Sequence, residues 1–112
     1  MIIRKLEKSD ECQAKELWKS CFGDSDAFID AYFKNKVDYK HSLGMFIGDE
    51  LVCDLFMLDV DFVYNGKSYK SGFLAGCATK KEYRHRGYMK TLLMRQLEIM
   101  KNDGYALCFL RR

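Results

Sequence analysis

The chain has 112 residues, 48% apolar, 14% aromatic and 31% charged, with a net charge of +3. That suffices for one domain with its own core, residues 1–112, and the composition excludes a disordered or low-complexity chain. No basic tract is interleaved with aromatics as a nucleic-acid groove requires, and no apolar run approaches the roughly 20 residues of a membrane span.

Met1 is followed by Arg4 and Lys5 without the apolar core of a signal peptide, so the expected location is cytoplasmic. Ile2 to Leu6 alternates apolar and charged residues and predicts a short first strand. Asp10 is placed to cap a helix, with Gln13 three residues on as in a capping box. Ala14, Leu17, Trp18, Cys21 and Phe22 then repeat at the spacing of one helical face, and Gly23 stops the helix. A second helix is expected from Asp24 or Ser25, with Phe28, Ile29, Tyr32, Phe33 and Val37 on its buried side, fading between Asp38 and Ser42.

From Leu43 the period changes to two. Gly44 to Ile47 predicts a strand, Gly48-Asp49-Glu50 a tight turn, and Leu51 to Val63 a long strand. Four apolar residues run together from Leu55 to Leu58, which points to a bulge or to burial on both faces. Asn65-Gly66 is a strong hairpin signal and sends Lys67 to Thr79 back as an antiparallel partner. Gly72, Ala75, Gly76 and Ala78 are small, and small residues weaken a strand unless something must come close to it. A helix from Gly87 to about Asn102 would turn Met89, Leu92, Leu93, Leu97 and Met100 to the sheet, with Gly104 as its left-handed cap. Ala106 to Leu110 reads as a buried-type strand, parallel to the one before the helix.

The stretch Cys77 to Leu93 carries the chemistry. A strand runs into a basic turn that opens a helix, which aims unpaired N–H groups and the positive helix end at one spot suited to a phosphate. Gly87 leaves room for a ligand near the backbone, and Lys80, Lys81, Arg84, Arg86 and Lys90 add charge that Glu82 alone opposes. Cys12, Cys21, Cys53, Cys77 and Cys108 form no CxxC pair, so neither a metal site nor a disulfide framework is expected, and each reads as a buried reduced thiol.

Thr79 and the run Tyr83-Arg84-x-x-Gly87-Tyr88-Met89 resemble the cofactor motif of the GNAT acetyltransferase superfamily: Arg or Gln, two variable residues, Gly, one variable residue, then Gly or Ala. Met89 stands where the small residue usually is, and that form is similar to the motif of the enhanced-intracellular-survival branch and its bacterial relatives. The resemblance implies an α+β chain with the acyl-CoA N-acyltransferase fold in the order β-α-α-β-β-β-α-β. The family's C-terminal helix and closing hairpin are missing, because only Arg111 and Arg112 follow Leu110.

The resemblance further implies transfer of an acetyl group from acetyl-coenzyme A, a co-substrate used without metal, to a primary amine on a small molecule or peptide. The main chain of Cys77, Ala78 and Thr79 would bond the pantetheine and the acetyl carbonyl. Arg84, His85, Arg86, Gly87, Tyr88 and Met89 would hold the pyrophosphate through backbone N–H groups, with Arg84 and Arg86 adding direct charge. Tyr32 and Phe33 are candidates for the acceptor wall. The catalytic base and acid are not identified; Asp59 and Asp61 are the nearest carboxylates in sequence, better read as solvent-facing. A different class of function fits the same motif: a non-catalytic coenzyme A-binding or self-associating module. Ala106 to Leu110 would be an unpaired apolar edge, which points to homo-oligomers.

Overall fold

The change of period at Leu43 becomes a five-stranded sheet in the order β1-β2-β3-β4-β5. In the computed structural model, which describes residues 1–110 and leaves Arg111 and Arg112 outside, the strands are β1 (Ile2–Lys5), β2 (Leu43–Ile47), β3 (Glu50–Tyr64), β4 (Lys67–Thr79) and β5 (Leu107–Leu110). Helices α1 (Glu11–Phe22) and α2 (Asp26–Asn35) lie between β1 and β2, and α3 (Tyr88–Asn102) crosses from β4 to β5. Pairing is antiparallel from β1 to β4 and parallel between β4 and β5. The expected element order stands, and the chain is α+β.

Helices cover both faces of the sheet. Leu17, Trp18, Ile29 and Phe33 pack on Phe46, Leu51, Phe56 and Ala78, while Leu92 and Met100 pack on Met45, Leu55, Met57 and Leu74. This double cover explains the apolar run in β3, where every residue from 51 to 57 is buried. A bulge is there as well. Asp54 pairs with Ala78 but Phe56 with Ala75, so β4 carries one residue more than β3. Gly76 sits in it at φ +64, and a Cβ there would overlap the Trp18 ring. Gly72 is likewise small because Met100 and Met57 lie against it. What approaches these glycines closely is the protein's own core.

Several expectations need correcting. Asp10 stands at the N-cap of α1 without capping it, because Arg4 takes both its oxygens at 2.8 and 2.9 Å and holds its carboxyl below the usual range. A two-pronged pair of opposite charges is stronger than a single bond from a backbone N–H. Gln13 completes no capping box there; it reaches across to the β2–β3 turn, where Nε2 donates to Asp49 O (3.0 Å) and Oε1 accepts from Leu51 N (2.9 Å). Ser25 does cap α2, accepting from Phe28 N at 3.2 Å.

The buried stripe of α3 is Leu92, Gln96 and Met100; Leu97 is exposed. Gln96 tolerates burial because its Nε2 contacts the Met57 sulfur at 3.3 Å and the His41 carbonyl at 3.5 Å. Phe22 and Phe28, expected inside, are 45% and 50% exposed. Strand β5 is exposed at all four positions, since among the described residues nothing packs beyond it. Of the cysteines only Cys53 is buried; Cys12 and Cys108 are exposed and Cys21 and Cys77 are half-buried.

Candidate active site

The parallel ladder runs from Ser71↔Leu107 to Leu74↔Leu110. Beyond Leu74, β4 passes through its bulge and, among the described residues, pairs with β3 alone. A groove of about 520 Å³ lies beside this part of β4. Trp18, Phe22, Asp24, Phe28 and Tyr32 form its end at the α1–α2 corner. Ala75, Gly76 and Cys77 line its middle, and Met89, Leu93 and Leu110 close the other side.

The turn after β4 is pinned to the sheet before it opens α3. Lys80 N donates to Val52 O at 2.8 Å, and Glu50 accepts from both Lys80 Nζ and Tyr83 Oη. Lys80 first and Tyr83 second hold the Glu50 carboxyl below its ordinary range. Lys80 is therefore already paired, and Glu50 joins Glu82 as an opposing charge. Arg84 folds inward, with Nε donating to Thr79 O (3.0 Å) and Nη2 to Cys21 Sγ (3.4 Å). Its side chain ties the turn to α1. The exposed cations that remain around the turn are Lys81, Arg86 and Lys90, with the Arg86 guanidinium 5.4 Å from the centre of the Tyr83 ring.

His85 and Gly87 both adopt left-handed conformations, at φ 66 and 77. Gly87 caps α3, and its carbonyl accepts from Thr91 N (3.0 Å) and Thr91 Oγ1 (3.1 Å). The backbone N–H groups of residues 85–90 find no acceptor among the described residues. A Cβ on Gly87 would meet nothing within 4 Å. Alternating left-handed residues, unpaired amides and a helix N-terminus form an open concavity suited to an anion.

Residues of the motif thus divide between turn and groove. Arg84, His85, Arg86 and Gly87 form the exposed turn and Tyr88 opens the helix, half-buried. The Met89 side chain lines the groove, so the bulky residue at this position fills space beside β4. Cys77 also lines the groove, and burial first, then Asp54, pushes its thiol up to about 11, so it is a protonated thiol at neutral pH and a poor nucleophile. Ala78 is buried under α1. Thr79 lays its hydroxyl 3.3 Å from Cys53 Sγ and gives its carbonyl to Arg84 and Cys21. Tyr32 lines the groove, whereas Phe33 belongs to the core.

Asp59 and Asp61 lie elsewhere. Asp59 accepts from Tyr105 Oη and sits 3.6 Å from His41 Nε2, and Asp61 faces Lys70 across the hairpin. The groove's carboxylate is Asp24, whose Oδ2 accepts from Trp18 Nε1 at 2.8 Å. Sequence reasoning missed Asp24, Phe22 and Phe28 as site residues. Their signal was there: two aromatics at the ends of apolar stripes, flanking the short Gly23-Asp24-Ser25 turn.

A family model described as an acetyltransferase (GNAT) domain matches residues 2–111. The chain belongs to the GNAT acetyltransferase family. Solved structures of similar fold include a conserved protein of Enterococcus faecalis V583 named as a probable N-acyltransferase (TM-score 0.85, 18% identity), of which this chain's matched 97% spans 28%. Eis1 of Mycobacterium abscessus matches with TM-score 0.79 and 18% identity, over 94% of this chain and 27% of Eis1. A predicted acetyltransferase of Clostridium acetobutylicum, solved with acetyl-CoA, matches with TM-score 0.77 and 17% identity over 99% of this GNAT chain and 80% of its own. The chain spans little more than a quarter of the Enterococcus and Mycobacterium proteins. No curated protein matches it in sequence. Among the described residues of this GNAT chain no His, Cys, Asp and Glu group could hold a metal ion, and no helix is long and apolar enough to cross a membrane.

Proposed function

We propose that the chain is a single, partial acetyltransferase domain that moves an acetyl group from acetyl-coenzyme A to a primary amine. The observation that carries this reading is a groove lined by Ala75, Gly76 and Cys77 of β4 and by Met89 and Leu93 of α3, beside a turn of unpaired amides. The fit is good: residues 85–90 offer N–H donors to a pyrophosphate, Gly87 leaves its approach open, and the groove beside the turn is lined by Ala75, Gly76 and Cys77 of β4. In the transfer, the amine nitrogen forms a bond to the thioester carbonyl carbon, the carbon–sulfur bond breaks, and the departing thiolate takes up a proton. The amine must first lose the proton of its ammonium form. The groove holds donor and acceptor in line, and proximity supplies much of the rate. The free cysteines fit a reducing cytoplasmic setting.

Isothermal calorimetry with acetyl-coenzyme A tests the reading, with Gly87→Glu as control. We expect micromolar binding that the substitution abolishes, because it places a carboxylate at the anion site and a side chain at φ +77. Absence of binding to the folded chain would overturn the reading. A second reading, coenzyme A binding without turnover, is favoured by one fact: Asp24, the carboxylate among the described groove residues, already accepts from Trp18. Acetyl-coenzyme A binding with no acetylated amine formed would select it.

A further inference from the structure

The aromatic end of the groove is built for more than a generic amine. Phe22 and Phe28 expose 45% and 50% of their surface at the α1–α2 corner, although the core is a short distance away on the same helices. Exposed rings of that size form an apolar surface that gains by being covered. Each ring rests on another. Trp18 lies 4.8 Å from Tyr32 and 5.2 Å from Phe22 between ring centres, and Phe28 stacks on Tyr32 at 6.2 Å. A wall already ordered loses little entropy when a flat ligand lies on it.

One charge is set into that wall. Trp18 Nε1 holds Asp24 Oδ2 at 2.8 Å, which fixes the carboxylate among the rings, and no cation pairs with it among the described residues. A carboxylate beside aromatic faces favours an ammonium through both charge and ring quadrupole. The other lining groups carry no charge at neutral pH, so a second cationic centre would find no counter-charge.

We propose that this end of the groove selects as acceptor a monocationic primary amine carried on a flat apolar body. Asp24 holds the ammonium, and Trp18, Phe22, Phe28 and Tyr32 hold the body. The assignment of acceptor rests on the acetyltransferase reading above; binding of the amine does not, and the two can fail separately.

Trp18 is the sole tryptophan and reports on its own site. Its fluorescence is titrated with 2-phenylethylamine, with the neutral 2-phenylethanol and with putrescine, which has two charges and no ring. Asp24→Asn keeps an oxygen for Trp18 Nε1, and Phe28→Ala removes a half-exposed ring without opening the core. We expect a saturable change with 2-phenylethylamine, weakened about tenfold or more for the alcohol, for putrescine and for each variant. Equal binding of amine and alcohol, unaffected by Asp24→Asn, would make this a plain apolar slot and overturn the proposal. So would an unchanged Trp18 signal in a chain that binds acetyl-coenzyme A by calorimetry. Binding of 2-phenylethylamine to a chain that does not bind acetyl-coenzyme A would support the amine site and overturn the acetyltransferase reading.

Discussion

Asp54 shows how much one side chain can depend on its position in the fold. It lies in β3 opposite Gly44 and Ala78, fully buried, with Oδ2 lacking a partner, and burial pushes its carboxyl well above the ordinary range. The sign follows from linkage. Above the unfolded pKa of about 3.9 the unfolded chain ionises at this residue while the folded chain stays protonated, so stability falls as pH rises through and beyond that point. Asp54→Asn, which cannot ionise, is expected to raise the melting temperature at pH 7, by about 4–8 °C for each kcal/mol recovered. The gain should shrink as pH approaches 3. Thermal melts of both proteins across pH 3–8 check this; a pH-independent difference would mean that ionisation is not involved. In the sequence Asp54 looked like Asp59, an acidic residue in a strand. The apolar run beside Asp54 is the local difference, and in the fold Asp54 is buried while Asp59 is exposed. Gly87, by contrast, was legible, since its conformation follows from the turn itself.

Elements were legible wherever a period or a turn residue defined them, and less so where a long-range partner competed. Asn65-Gly66 placed the hairpin and the apolar stripes placed three helices, but the cap of α1 went to a different bond because β1 brings Arg4 beside Asp10. The released Gln13 serves another element. It holds both the Asp49 carbonyl and the Leu51 amide, joining α1 to the β2–β3 turn over 36 and 38 residues of chain. Each such bond contributes about 1 kcal/mol net, and the Leu51 amide would be left inside without a partner. Gln13→Ala is therefore expected to destabilise the chain by about 1–2 kcal/mol in urea unfolding with an unchanged slope. Gln13→Glu should lose the bond to Asp49 O, which a carboxylate cannot donate to, while keeping the one from Leu51 N. It should fall between the parent and Gln13→Ala.

At the scale of the molecule, the sheet has two very different edges. β1 is short and ends in charged Arg4 and Lys5, whereas β5 presents Leu107, Cys108, Phe109 and Leu110 at the other end, all exposed. The neighbouring hairpin adds to it: Val60, Phe62 and Tyr64 are exposed on β3, and the Phe62 and Phe109 rings lie 5.6 Å apart. An edge strand without a charged or proline residue is a template for another strand, and this one adjoins an apolar face. We propose self-association through β5, the expectation drawn from its sequence. Sedimentation velocity from low to high micromolar concentration should show a concentration-dependent rise in mass. Phe109→Lys should suppress it, since it places a charge on the apolar face beside Phe62 while β5 keeps its register with β4 over four residue pairs. The same substitution leaves the groove lining intact, so acetyl-coenzyme A binding should persist in the variant. A parent chain that stays monomeric at high concentration would overturn the idea. Loss of coenzyme binding together with loss of association would instead tie the open groove to the assembled state, because β5 forms one wall of the opening through Leu110 and a second copy would then be what holds that wall in place.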